Sequence, residues 1–150
     1  MAGVGRMARF EFLWERSHWM PTVMVVDDVD VMRDVLARLL KREGYHTLTA
    51  GSGHEAIETL EHCCDPGEAP PDLILLDVKM PDMDGLDLLE RLHHDSRWRN
   101  VPVVMLTAVS DTSAVNRAHQ LGAKAYLVKA AFSVQEMMSH VKQYTQYVPH

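Results

Sequence analysis

Short runs of branched apolar residues alternate with helix-length amphipathic segments from Thr22 onward, and this alternation limits the possible folds more than any other feature. Five runs are predicted to be strands, at residues 22–26, 46–50, 73–77, 103–107 and 125–128. Because these runs are mostly continuous rather than alternating, the strands are expected to be buried on both faces. Each run is followed by a helical segment. The sequence therefore predicts an α/β fold, a (βα)5 doubly wound parallel sheet of five strands with right-handed crossovers.

The predicted helices are marked by apolar periodicity and by residues typical of helix ends. The first helix has two apolar rows that are expected to form one stripe: Val31, Val35, Leu39 and Met32, Leu36, Leu40. Gly44 is expected to close this helix in the left-handed backbone conformation. Further helices are predicted at about 54–62, 86–93 and 112–121. The last helix begins near Ser133, where Glu136 three residues later completes a capping box.

Charge and cysteine content exclude several classes of protein. Fifteen Lys and Arg against 21 Asp and Glu give a net charge of -6, which disfavours direct nucleic-acid binding because such binding depends on neutralising phosphates. No run approaches the roughly 20 apolar residues of a membrane-spanning helix, so no membrane contact is expected. The only cysteines, Cys63 and Cys64, are adjacent and offer neither a disulfide framework nor a C-x-x-C metal pattern. A reducing, cytoplasmic setting is therefore expected.

The first twenty residues differ from the rest of the chain because they show no sustained periodicity. Glu11 and Glu15 interrupt any apolar core of a secretory signal. We therefore expect residues 1–20 to be a flexible N-terminal extension and residues 21–150 to form the folded domain. The alternative interpretations are residues upstream of a true start at Met20 and a docking segment built on Trp14 and Trp19.

Residues able to carry chemistry lie at the carboxyl ends of four of the five predicted strands: Asp27, Asp28, Asp77, Thr107 and Lys129. In parallel α/β sheets these ends share one edge, where ligands bind at the point of topological reversal. Three carboxylates brought together repel one another unless a cation neutralises them, and an all-oxygen ligand set suits Mg²⁺. Taken singly, each aspartate is more simply a turn or helix-cap residue. Together the five residues indicate phosphoryl transfer.

The segments VMVVDD, LILLDVKMPDMDG, VVMLTA and AYLVK, in this order and spacing, resemble the receiver domain of two-component response regulators. The resemblance covers about residues 22–147. It implies the flavodoxin-like strand order 2-1-3-4-5. It also implies a single-domain response regulator that accepts a phosphoryl group from the phosphohistidine of a sensor histidine kinase or a phosphotransfer protein. Such a protein assists its own phosphorylation and dephosphorylation but is not an enzyme in the ordinary sense.

The resemblance also implies a role for each acidic residue. Asp77 would be the phosphoacceptor, a carboxylate nucleophile that forms an aspartyl phosphate. Asp28 and Asp77 would bind Mg²⁺ directly, Asp27 would act through water, and Lys79 would contribute its backbone carbonyl. Gly85 is expected to supply a backbone angle that other residues resist in the loop after Asp77.

Three further residues would read out the phosphorylated state. By resemblance, Thr107 would hydrogen-bond a phosphoryl oxygen and Lys129 would pair with the phosphate. Tyr126 occupies the aromatic switch position, although an ordinary strand aromatic at a solvent-facing edge is the alternative. The signal would leave through a protein surface formed by the fourth helix, the fifth strand and the fifth helix, toward a downstream protein target. No DNA-binding output domain is expected after residue 150, which makes direct contact with nucleic acid unexpected.

The sequence departs from the family pattern at three positions. Ala130 stands where a proline usually follows the active-site lysine, so we expect a trans Lys129–Ala130 peptide with the ammonium still directed at the site. By resemblance, Lys79 and Val109 occupy positions that tune the lifetime of the phosphoryl group in the family. Their combination of a long cation and an apolar residue does not convert into a predicted rate.

Two other functions fit the sequence less well than the receiver interpretation does, and one variant of that interpretation stays open. The segment from Gly51 to Ala56 matches G-x-G-x-x-A, but it follows the second predicted strand rather than the first, which argues against a dinucleotide site. A phosphatase of the haloacid dehalogenase type needs a second aspartate two residues after the nucleophile, where this chain has Lys79. A receiver that binds proteins without being phosphorylated is the variant that stays open.

Overall fold

Five strands and five helices alternate in the part of the chain that this computed structural model describes, residues 20–63, 69–108, 110–131 and 133–146. The strands are β1 (Thr22–Val26), β2 (His46–Ala50), β3 (Leu73–Leu76), β4 (Val103–Thr107) and β5 (Ala125–Val128). The helices are α1 (Asp30–Arg42), α2 (Gly53–Cys63), α3 (Gly85–His93), α4 (Thr112–Gln120) and α5 (Val134–Thr145). The expectations for Trp14, Trp19 and Val109 fall outside the described residues.

The strands form one parallel sheet in the order β2-β1-β3-β4-β5, which confirms the predicted fold class. In the register of the sheet, Val25 of β1 pairs with Leu75 of β3, which in turn pairs with Val104 of β4. The strand order reverses between β1 and β3, because the chain leaves β1 toward β2 and later returns to the other side of β1. A cleft at the carboxyl ends of β1 and β3 follows from this reversal.

Two apolar clusters cover the two faces of the sheet. One joins residues of the sheet to α2, α3 and α4 through side chains such as Leu60, Leu88 and Ala118. The other joins the sheet to α1 and α5 through side chains such as Leu40 and Met137. Both faces of β1, β3 and β4 are therefore buried, and this confirms the expectation drawn from their continuous apolar runs.

Several helix ends form as the sequence predicts. Gly44, just after α1, has a φ of 94°, the left-handed conformation that favours glycine. The Ser133 side chain accepts a hydrogen bond from the Glu136 amide at 3.0 Å and so caps α5. The side chains of Asp84 and Asp111 cap α3 and α4 in the same way, and these two caps were not predicted from the sequence. None of the described helices has the length and apolar content that crossing a membrane requires.

Two local predictions need correction. Strand β3 ends at Leu76, one residue earlier than predicted, so Asp77 lies just beyond the strand. The predicted stripe on α1 is only partly buried: Leu36 and Leu40 are in the core, whereas Val31 is 73% exposed. Periodicity identifies the apolar flank of a helix, but the flank that faces the sheet is set by how the helix docks.

Candidate functional site

Backbone hydrogen bonds at the sheet edge hold the predicted site residues in place just beyond the strands. The Asp77 amide donates to the carbonyl of Val26 at 3.0 Å, and the Lys129 amide donates to the carbonyl of Thr107 at 2.7 Å. The Asp27 amide donates to the last residue of β2 at 3.1 Å. These bonds continue the sheet ladder by one residue, so the side chains start from a rigid edge.

Lys129 joins two buried carboxylates. Its Nζ lies 2.6 Å from Asp27 Oδ2 and 3.4 Å from Asp77 Oδ2. The Lys129 side chain is 15% exposed, and those of Asp27 and Asp77 are 3% and 8% exposed. An ammonium at this depth offsets part of the repulsion between the two carboxylates. In the described part of the chain no peptide bond is cis, and Lys129 faces the site, as predicted for an alanine at position 130.

Asp27, Asp28 and Asp77 form a cluster that is able to hold a metal ion. One carboxylate oxygen from each of the three lies within 4.8 Å of the other two. Asp28 is exposed, whereas Asp27 and Asp77 are buried, so the cluster opens to solvent on one side. A hard cation such as Mg²⁺ prefers oxygen ligands and keeps several waters, and this half-open set of oxygen donors fits both requirements.

The carboxyl group of Asp77 is balanced between opposing effects. Burial raises its pKa above the ordinary value, and the negative charge of Asp27 acts in the same direction. A hydrogen bond with the side chain of Thr107 and the charge of Lys129 act to lower the pKa. Thr107 itself is completely buried. The Asp77 side chain, just beyond β3, therefore contacts Thr107 at the end of β4 and Lys129 just beyond β5.

Tyr126 lies on β5, opposite Met105 of β4. It is partly buried against the apolar cluster that joins the sheet to α2, α3 and α4. Burial raises the pKa of its phenol, and the negative charges of Asp111, Asp77 and Asp84 raise it further. The ring is thus close enough to the acidic edge to feel the charge of Asp77. Tyr126 lies on the edge strand of the sheet, so its assignment as the switch residue stays a prediction.

Gly85 is required for a different reason from the one predicted. Among the described glycines, positive φ angles occur at Gly44 and Gly122, so Gly85 needs no special backbone angle. Instead, a Cβ at Gly85 would lie 1.9 Å from the carbonyl oxygen of Asp77. The backbone at the start of α3 therefore packs directly on the backbone of Asp77. Lys79 lies in the loop between β3 and α3, with its side chain exposed.

Arg33 takes part in the site, although it was not predicted from the sequence. Its Nη1 donates to the backbone carbonyl of Asp27 at 2.7 Å, and its Nη2 pairs with Asp30. The Asp27 Oδ1 atom also accepts a hydrogen bond from the Val29 amide at 2.9 Å. The available signal was a basic residue in the first turns of the helix that follows the two aspartates.

The glycine-rich turn before α2 serves packing inside the protein. A Cβ at Gly53 would lie 2.8 Å from the Cβ of Met83, which belongs to the loop after Asp77. In the same place Asp82 accepts hydrogen bonds from the amides of Gly53 and His54. The small residues of this turn thus allow the loop between β3 and α3 to lie against α2, and this contact accounts for the motif without a nucleotide.

Comparisons with known proteins agree with this geometry. The family model described as response regulator receiver domain matches residues 23–142. The transcriptional regulatory protein PdtaR of Mycobacterium tuberculosis is 38% identical over 122 residues, which are 80% of this chain and 54% of that protein. The chain therefore spans about half the length of this curated relative.

Two further proteins resemble the chain over nearly their whole length. Sporulation initiation phosphotransferase F of Bacillus subtilis is 31% identical over 81% of this chain and 91% of its own. The structure of the chemotaxis protein CheY4 of Vibrio cholerae superposes with a TM-score of 0.73 at 27% identity, covering 83% of this chain and 98% of that one. With a matching family model over most of the fold and the acidic edge described above, the chain belongs to the response regulator receiver domain family.

Proposed function

We propose that Asp77 is the residue of this chain that accepts the phosphoryl group, with Mg²⁺ as the metal ion. Phosphorylation of an aspartate by a histidine kinase is the general function of receiver domains in two-component systems, to which the chain belongs. The observation that carries the assignment to Asp77 is its position: it is buried at the point of strand reversal, beside Lys129 and Thr107. Its carboxylate contacts both of these side chains.

Asp28 and Asp77 would ligate the ion directly, Asp27 would act through a water molecule, and Lys79 would offer its backbone carbonyl. When bound, Mg²⁺ supplies positive charge to the phosphoryl oxygens. The exposed position of Asp28 leaves that side of the cluster open for waters and for the phosphoryl group.

The residues of the chain have distinct roles in the transfer. An oxygen of the Asp77 carboxylate attacks phosphorus, an O–P bond forms, and the bond from phosphorus to the histidine nitrogen of the donor breaks with its electron pair on nitrogen. Lys129 pairs with a phosphoryl oxygen, and the Thr107 hydroxyl donates to another. In this role Lys129 exchanges part of its contact with Asp77 for a contact with the new phosphoryl charge.

The change in hydrogen bonding at Thr107 would then reach Tyr126 on the neighbouring strand. The Tyr126 ring would change position together with Thr107, and its partial burial close to the acidic edge supports this role. The face formed by α4, β5 and α5 would in this way present a different surface to a downstream protein. The partners that we propose are a sensor histidine kinase or phosphotransfer protein upstream and a protein target downstream, in the cytoplasm.

Intact-mass spectrometry with a small-molecule phosphodonor and Mg²⁺ tests the proposal. The wild-type protein is expected to gain the mass of one phosphoryl group, and Asp77→Asn is expected to gain none. Asp95→Asn, which changes an aspartate outside the site, is the matched control and should label like the wild type. Equal labelling of wild type and Asp77→Asn would mean that a residue other than Asp77 accepts the phosphoryl group. Absence of labelling in all three would favour a receiver that binds proteins without phosphorylation.

A further inference from the structure

Asp82 connects the loop after Asp77 to a different part of the fold. Its Oδ1 accepts from the Gly53 amide at 3.1 Å, and its Oδ2 accepts from the His54 amide at 2.9 Å. The same Oδ2 lies 2.5 Å from Nδ1 of His54. These contacts span 28 and 29 positions in the sequence and place the carboxylate at the first turn of α2.

The loop that Asp82 holds is fixed at several other points. A hydrogen bond closes the loop, in which the Gly85 amide, just after the loop, donates to the carbonyl of Val78 at its start at 2.6 Å. The Asp84 side chain accepts from the Leu86 amide at 2.7 Å and so attaches the end of the loop to α3. Met83 packs against Gly53, beside the Asp82 contacts. Lys79 lies inside the loop between these points.

We propose that Asp82 is a positioning residue that holds the loop of residues 78–84 against α2 and thereby keeps the Lys79 carbonyl directed at the metal site. This inference rests on the proposed function, because it takes the Lys79 carbonyl as a metal ligand. A ligand supplied by the backbone of a loop binds an ion more tightly when the loop is already ordered, because less conformational entropy is lost on binding.

The charge state of Asp82 suits this role. The hydrogen bond from the His54 amide, together with the other bonds at the start of α2, lowers the pKa of Asp82 to about 2. The carboxylate is therefore ionised at neutral pH, where an anion at a helix N-terminus is stabilising. The His54 side chain adds a second partner for the same carboxylate oxygen.

The test compares Mg²⁺ affinity, measured by calorimetry, in the wild type, Asp82→Ala, Asp82→Asn and Asp95→Ala. Asp95 is the matched control because its pKa is also lowered to about 2 and it also accepts from a backbone amide, but at the Arg97 turn outside the site. We expect Asp82→Ala to weaken Mg²⁺ binding about tenfold, the lower end of the effect of removing support from metal ligands. Asp82→Asn keeps an oxygen acceptor and should recover part of the affinity.

Urea unfolding without Mg²⁺ separates positioning from general loss of stability. Equal Mg²⁺ affinity in wild type and Asp82→Ala would overturn the inference. So would an equal loss of affinity in Asp82→Ala and Asp95→Ala. The proposed function fails separately: in that case the wild type itself neither binds Mg²⁺ nor labels at Asp77.

Discussion

Replacing Lys129 with methionine is expected to destabilise the protein without Mg²⁺. Methionine keeps an apolar stem of similar length and removes the ammonium that contacts Asp27 at 2.6 Å and Asp77 at 3.4 Å. At an effective dielectric constant of 20, these distances correspond to attractions of about 6 and about 5 kcal/mol. Desolvation of the buried charges offsets most of this attraction. Breaking a buried pair from one side costs about 3–5 kcal/mol net.

We expect a loss of about 3 kcal/mol, at the lower end of that range, because the cluster is open to solvent at Asp28. The loss should shrink when Mg²⁺ is added, since the ion neutralises the carboxylates that the ammonium no longer neutralises. The variant should also bind Mg²⁺ more tightly than the wild type does, because no ammonium competes with the ion for the Asp77 carboxylate.

Urea unfolding at neutral pH, with and without Mg²⁺, measures both effects, and calorimetry gives the Mg²⁺ affinity. Lys124→Met is the matched control, because Lys124 is exposed in the turn before β5 and lies outside the acidic cluster. A Lys129→Met protein that unfolds like the wild type would refute the reasoning. A destabilised variant that Mg²⁺ does not rescue would also refute it, since its loss of stability would then arise from packing rather than from charge.

Three other changes test the remaining contacts. Asp28→Ala should abolish most Mg²⁺ binding in calorimetry. It should also raise the unfolding free energy by less than about 1 kcal/mol, because Asp28 is exposed and makes no side-chain cap for α1. A clear loss of stability would contradict this. Gly85→Ala should lower the free energy of unfolding in urea by about 3 kcal/mol and slow phosphorylation, because the new Cβ would meet the Asp77 carbonyl. Gly51→Ala should lower the free energy of unfolding by less, because the new Cβ would meet only the movable ends of side chains. The raised pKa of Asp77 means that the folded protein holds this proton more firmly than the unfolded chain, so stability should fall as pH rises from the ordinary carboxyl pKa through the raised one. Unfolding curves across that pH range should show a smaller fall for Asp77→Asn, which should be the more stable protein at neutral pH; equal pH profiles would count against a buried charge at Asp77.

Local patterns in the sequence were sufficient to predict the strands, the helices and the set of residues at the carboxyl edge. Continuous apolar runs predict buried parallel strands because both faces of such strands are covered. Once the strands are parallel, Asp27, Asp77 and Lys129 must share one edge, since their places at strand ends are fixed by the chain. Gly44 was predictable for the same kind of reason, because a helix end in the left-handed conformation is a local requirement.

Contacts between distant segments were decided only by the tertiary structure. Which flank of α1 is buried depends on its docking, so the exposure of Val31 did not follow from the apolar period. The reason for Gly85 is a close approach to the Asp77 backbone, and the hold of Asp82 on α2 joins residues 28 and 29 positions apart. Sequence periodicity reports the geometry of one element at a time, whereas these features arise from the distance between two elements, which packing of the whole sheet and its helices sets.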